Sequence, residues 1–310
     1  MSEAGGLGFL GAGYKSAAVV EAELREVRAL TARPIGLNLF FPTREPVDEA
    51  AIEAYTQRMR VEADRYGVAP GEPRWTDDEW TAKLELAARE RPDVVSFTFG
   101  CPDREVVEWL RSGGSTVWCT VTSAGEARRA SEASADALVV QGAEAGGHRG
   151  AFLDDDAEPR PLLALLGEIR SATATPLVAA GGIADGDDVA TVLAAGAVAA
   201  QIGTALLLTE EAGTSAPHRR ALGVAGTTRL TRAFTGRSAR GIVNRFMLDH
   251  DASAPRAYPE IHYVTAPIRA AARELGDADA VNLWAGTEYR RAREGSRPSS
   301  SSVLAAASWG

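Results

Sequence analysis

Lysine is almost missing from this 310-residue chain, which has only Lys15 and Lys83. That leaves few candidates for Schiff-base or pyridoxal chemistry. Cysteine is equally scarce: Cys101 and Cys119 allow at most one bridge. Both lie in or beside apolar strand-like runs without ligand-type neighbours, so reduced thiols in a cytoplasmic protein are expected. No apolar run reaches the roughly 18 residues of a membrane span. The start, Met1-Ser2-Glu3-Ala4-Gly5-Gly6, has neither the basic residues nor the apolar core of a signal peptide. Positive charge is in deficit, and a net charge of -9 argues against nucleic acid or an anionic membrane as a partner.

What the chain does contain is the balance of an ordinary globular protein, 45% hydrophobic and 24% charged, long enough for one large α/β domain or two modest ones. Short apolar runs at 7–11, 35–41, 94–99, 116–121, 137–141, 176–180 and 199–202 predict seven strands. Helices are expected between them at 17–30, 105–111, 162–169 and 187–195, with Ser123 capping another. An acidic and polar stretch at about 46–91, broken by Gly67-Val68-Ala69-Pro70-Gly71-Glu72-Pro73, predicts a helical insertion or subdomain.

Such alternation means a parallel sheet covered by helices, either doubly wound and open or closed as a barrel. The open dinucleotide fold needs Gly-x-Gly-x-x-Gly after its first strand. Here Gly11-Ala12-Gly13-Tyr14-Lys15-Ser16 has serine at the third position. The TIM-type (β/α)8 barrel does better, because Gly181-Gly182-Ile183 and Gly203-Thr204 follow the last two strands, where barrel phosphate sites lie. Seven strands are one short of eight. The expectation is a barrel over 1–294 lacking its first strand and most of its first helix, followed by a Ser-rich linker and tail over 295–310.

The stretch 137–150, Ala-Leu-Val-Val-Gln-Gly-Ala-Glu-Ala-Gly-Gly-His-Arg-Gly, gives the site its centre. A buried strand ends abruptly at Gly142. Two glycines then bring backbone close to any ligand and deliver His148, an imidazole whose ordinary pKa lies near working pH. The plain alternative is a Gly-rich surface loop with an incidental histidine. Glu144 is expected to bond within the loop, Arg149 to be either a surface cation or a site residue, and His218, His250 and His262 to be structural or solvated.

Gln141-Gly142-Ala143-Glu144-Ala145-Gly146-Gly147-His148, with Ala180-Gly181-Gly182-Ile183 and Gln201-Ile202-Gly203-Thr204, resembles the nitronate monooxygenase family, formerly called 2-nitropropane dioxygenases. The resemblance runs from about residue 5 to 293. It includes Gly36-Leu37-Asn38-Leu39-Phe40, Ser96-Phe97-Thr98-Phe99-Gly100, and Ala239-Arg240-Gly241 with Asn244. It implies an FMN-dependent barrel in which Asn38, Gln141 and Gly146 contact the flavin. It also implies that Gly181, Gly182, Gln201, Ile202, Gly203 and Thr204 hold the flavin's phosphate end, and that His148 is catalytic. The implied reaction takes a nitronate or nitroalkane and O2 to a carbonyl compound and nitrite.

The family's first strand, ending in a Pro-Met pair, lies upstream of Met1, and Thr287 stands where many relatives have glutamine. A start placed too late is therefore expected, with greater stability for a chain extended by about 25 to 35 residues, most of one βα unit. The edges left open would invite aggregation or a homo-oligomer, and the Ser-rich tail, with a loose turn at 303–310, is not expected to fill the gap. Two other readings stay open: an enoyl-thioester reductase of the related flavin barrels, and a noncatalytic flavin-binding paralogue.

Overall fold

The computed structural model describes residues 1–294 and 306–307. Its first half is a run of βα units: β1 (Gly8–Gly11), α1 (Ala17–Leu30), β2 (Ile35–Phe40), α2 (Glu49–Asp64), α3 (Trp80–Glu90), β3 (Val94–Thr98), α4 (Arg104–Ser112), β4 (Thr116–Val121) and α5 (Ala124–Glu132). There follow β5 (Ala137–Gln141), β6 (Gly147–His148), α6 (Leu162–Ala172), β7 (Leu177–Ala180), α7 (Gly186–Ala194) and β8 (Ala199–Gln201). The chain ends with α8 (Ala216–Leu222), β9 (Thr228–Thr231), β10 (Ala239–Ile242), α9 (Arg245–His250), α10 (Glu260–Glu274) and β11 (Ala306–Ala307). All seven expected strands are present, shifted by at most one or two residues at their ends.

Local chemistry sets the helix starts. The side chains of Ser16, Asp48, Asp103 and Ser123 each accept a hydrogen bond from a first-turn backbone N–H, and Asp185 with Asp188 forms a capping box. Parallel pairing in the order β11-β1-β2-β3-β4-β5-β7-β8 joins the strands into one sheet of TIM-like α/β architecture. Its strands alternate with period two. Leu37, Val95, Phe97, Val117, Cys119, Leu138 and Val140 point outward into a core shared with Val20, Leu24, Leu84, Val107, Leu110 and Leu165 of the helices. Asn38, Ser96, Thr98, Thr120 and Gln141, on the other face near the carboxyl ends, are buried and polar. That polarity marks the concave side as a site rather than as core.

Cys101 and Cys119 are free thiols, buried with their sulfurs 3.3 Å apart. Among the described residues, no helix is long and apolar enough to cross a membrane.

The helical stretch 46–91 holds two helices that serve different cores. α3 lies on the sheet through Leu84, Leu86 and Ala87, whereas α2 sends Ile52, Tyr55, Met59 and Ala63 into a second core with Phe234, Phe246, Ile261, Val264 and Ile268. One expectation is corrected: β1 is not left unpaired, since Ala306–Ala307 runs parallel beside Gly8 and Phe9. Strand pairing uses backbone donors and acceptors, which an alanine supplies as well as any β-branched residue. The rest of the tail lies outside the described residues, among which no pairing joins β11 to β8.

One carboxylate ties the second core together. Glu62 of α2, 2% exposed, accepts a two-pronged hydrogen bond from Arg245 and a third from His250 Nε2 at 3.3 Å. Arg58 donates to the opposite ring nitrogen of His250 at 3.0 Å, which leaves Nε2 as the nitrogen that donates to Glu62. Burial opposes ionisation, but the His250 and Arg245 bonds outweigh it and hold the Glu62 carboxyl at about 2, below its ordinary 4.5. Because the folded pKa is depressed, this stabilisation is complete above about pH 4.5 and is lost as pH falls toward 2. Glu62→Gln should therefore cost about 3 kcal/mol at neutral pH, the low end for orphaning a buried partner because Arg245 is partly solvated. Urea unfolding at stepped pH checks this, and the variant should lose the acid slope of the wild type over that window.

Candidate active site

At the carboxyl end of β5 the side chain of Gln141 turns back on the loop that follows it. Its Nε2 donates to the His148 carbonyl at 3.0 Å, and its Oε1 accepts from Gly150 N at 2.8 Å. Glu144, inside the loop, accepts from Leu162 N at the start of α6 and offers its own carbonyl to Thr287 N at 3.0 Å. It thus ties the loop to α6 and to the segment at 287. Arg149 also serves the loop, with its backbone N–H on Ser238 O at 2.8 Å and its guanidinium reaching Gly142 O at 3.4 Å. A Cβ on Gly146 would lie 2.5 Å from the backbone of Ala285, and Gly147 has a φ of 79°, so neither position tolerates a side chain without strain.

This folding presents His148 on β6, which pairs antiparallel with β10 through Ala239 and so joins the three-stranded sheet β6-β10-β9. The imidazole is buried. Its Nε2 lies 2.9 Å from Thr235 Oγ1, and the rings of Phe99, Tyr258 and Trp284 surround it at centroid distances of 5.8, 5.7 and 5.5 Å. Burial first, and then the nearby cations Arg237 and Arg269, push its pKa down from 6.5 to about 3. The Arg237 guanidinium sits 4.2 Å over the Phe99 ring. Arg269 is buried and donates to Thr265 Oγ1 and the His262 carbonyl.

Opposite the loop, Asn38 of β2 accepts on Oδ1 from Ser96 Oγ at 2.8 Å and from Thr98 Oγ1 at 3.0 Å. Its Nδ2 is buried with no hydrogen-bond partner. A buried donor left unpaired is costly, so this amide is placed for an acceptor that a ligand would bring. The two glycine turns also meet, because Ala180 and Gln201 are paired across β7 and β8. Gly181 and Gly182 have φ of 109° and 71°, and a Cβ there would come 2.9 Å from Ala145 N and 3.1 Å from Glu144 Cβ. A Cβ on Gly203 would meet nothing within 4 Å, so that backbone borders open space. Ile202 is buried, Gln201 is half-buried, and Thr204 Oγ1 accepts from Gly286 N at 3.0 Å.

Asn38, Gln141, Gly146, His148, the 181–182 turn and Gly203 thus lie at or beyond the carboxyl ends of their strands, whereas Ile202 is buried in the core between the sheet and its helices. The amide of Gln141 and the hydroxyl of Thr204 are engaged with neighbouring backbone, and Gly146 is packed against 285–286. Sequence reasoning missed Thr235, Arg237, Tyr258 and Arg269, which come from loops and helices of the second core and carry no motif. His262 stacks on Tyr14 at 3.7 Å and is half-buried, with desolvation and then Arg269 pushing its pKa down to about 2. His250 belongs to the Glu62 network. Among the described residues, no group of three or more His, Cys, Asp or Glu side chains could hold a metal ion.

The family model for nitronate monooxygenase matches residues 1–300. A nitronate monooxygenase of Paraburkholderia phytofirmans is 35% identical over 302 residues, covering 94% of this chain and 82% of the relative. In three dimensions the chain superposes on nitroalkane oxidase from Streptomyces ansochromogenes with a TM-score of 0.92 and 48% identity, covering 94% of this chain and 85% of the other. FabK from Thermotoga maritima, at 23% identity and a TM-score of 0.71 over 98% of this chain and 82% of that one, shares the fold alone. With a match that spans nearly the whole chain, this chain belongs to the nitronate monooxygenase family.

Proposed function

We propose that the chain uses FMN and O2 to oxidise alkyl nitronates, and neutral nitroalkanes through His148, to a carbonyl compound and nitrite. The observation that carries the reading is a buried imidazole, kept neutral by its surroundings, facing the concave end of the sheet. The residues present fit a flavin. Asn38 has an unspent donor, Gly181 and Gly182 expose backbone in conformations open to glycine, and Gly203 borders free space. Asn38 would meet the ring system, and the amides of 181–182 and 203–204 the phosphate. Gln141 and Gly146 support this site by shaping the loop. When bound, FMN supplies electron acceptance and oxygen activation.

The chain's own part is binding and proton transfer. A nitroalkane must lose the proton next to its nitro group, and His148, uncharged above about pH 3, has a lone pair free to take it. Arg237 and Arg269 disfavour a positive charge on the imidazole, which lowers its strength as a base, and favour the nitronate anion that the proton loss creates. A nitronate supplied preformed needs no base. The same cations argue against a protonated His148 as the group that attracts it.

Heat should release FMN from purified protein, identifiable by chromatography; FAD, or a folded protein without flavin, would overturn the cofactor. Gly182→Val should lower the bound flavin, because its Cβ enters the turn at a φ of 71°. In His148→Asn, kcat/KM for neutral nitroalkane should fall by roughly 10²- to 10⁴-fold, with a smaller loss for preformed nitronate. Equal losses would make His148 a positioning group instead. A pKa lowered from 6.5 to about 3 means the base stays unprotonated well into acid, so the nitroalkane pH profile should show no His148 limb near 6.5. Consumption of reduced nicotinamide with an enoyl thioester, and no oxygen uptake with nitronate, would replace the reaction altogether.

A further inference from the structure

A neutral imidazole can offer only one of its nitrogens as a base, and the atoms around His148 decide which. Nε2 lies 2.9 Å from Thr235 Oγ1, a separation that fits either atom as donor. The rest of the threonine's bonding favours one direction. Its hydroxyl donates to the Arg237 carbonyl at 3.2 Å and faces the Arg237 backbone N–H at 3.5 Å. One hydroxyl has one proton, and a carbonyl can only accept, so Oγ1 turns a lone pair toward His148. The proton between them then belongs to Nε2. Nδ1 makes no hydrogen bond to the described residues, so its lone pair is not spent on the protein.

Thr235 is held where this requires. It is 1% exposed, between Phe234, which stacks on Phe246 in the second core, and Gly236, whose absent Cβ would lie 2.2 Å from the Ala257 carbonyl. Gly236 N donates to Arg232 O at 2.8 Å, and its carbonyl accepts from Ala257 N at 3.1 Å. The turn is fixed on both sides, so the hydroxyl has little freedom to follow the imidazole. We infer that Thr235 is a positioning residue that fixes the His148 tautomer with its proton on Nε2 and leaves Nδ1 as the nitrogen that accepts the substrate proton. The tautomer follows from the geometry; the role of Nδ1 in turnover rests on the proposed nitroalkane reaction.

Nitrogen-15 NMR of histidine-labelled holoenzyme tests the tautomer without turnover, the His148 signals being assigned by their loss in His148→Asn. The wild type should show a protonated Nε2 and an unprotonated Nδ1. Thr235→Val, which keeps the shape and removes the acceptor, should mix or invert the tautomers, and Thr235→Ser should restore the wild-type pattern. In kinetics, Thr235→Val should lower kcat/KM for neutral nitroalkane roughly 10-fold, the worth of one hydrogen bond. It should leave preformed nitronate within about 2-fold and keep wild-type flavin content. A proton on Nδ1 in the wild type, or an unchanged tautomer in Thr235→Val, overturns the assignment even in an active enzyme. Should Thr235→Val not fold, the wild-type and Thr235→Ser spectra still decide it. A protein with the expected tautomer but no nitroalkane oxidation would sink the proposed reaction and leave the tautomer assignment standing.

Discussion

Both ends of one side-chain amide hold the loop that carries His148. Gln141 is the last residue of β5 and points into the concave face, and its donor and acceptor reach backbone on either side of Arg149. Because the strand is locked into a parallel sheet, the amide transmits the sheet's position to the loop. The short strand β6 can then form, and only with β6 in place does the imidazole meet Thr235. Without both bonds, a loop containing Gly142, Gly146, Gly147 and Gly150 would have wide backbone freedom, and glycine loses more of that freedom on ordering than any other residue.

The site lies where two cores touch. The sheet contributes Asn38, the loop after β5 and the glycine turns after β7 and β8. The second core, formed by α2 with the carboxyl-terminal helices, contributes the groups around the imidazole: Thr235, Arg237, Tyr258 and Trp284. Stability and chemistry are therefore coupled, since loosening the Glu62 network loosens the frame that holds Thr235. The coupling also explains the electrostatics. Two guanidiniums buried beside an imidazole make a third cation there unfavourable, which keeps the imidazole uncharged and suits an anion beside it.

Short apolar runs determined the seven parallel strands, and the Ser and Asp caps marked helix starts, because burial on both faces of a parallel sheet and unpaired first-turn amides each demand particular residue types locally. The glycines at 146–147, 181–182 and 203 and His148 in the loop after β5 were legible for the same reason: each answers a need of its own backbone or its own chemistry. Whether α2 belonged to the sheet or to another layer was not legible, because amphipathic spacing shows that a helix has an apolar face but not what covers it. β9, β10 and β11 were missed because their ladders rest on backbone groups that every residue carries. The partner of His148 lies 87 positions away, and a threonine is mute about its bonds until the chain folds. The sequence by itself determined the parallel sheet, its glycine turns and the place of His148 after β5. Only the tertiary structure decided the depth of its burial, the cations beside it and the nitrogen that carries its proton, because desolvation and hydrogen-bond direction depend on residues remote in sequence and adjacent in space.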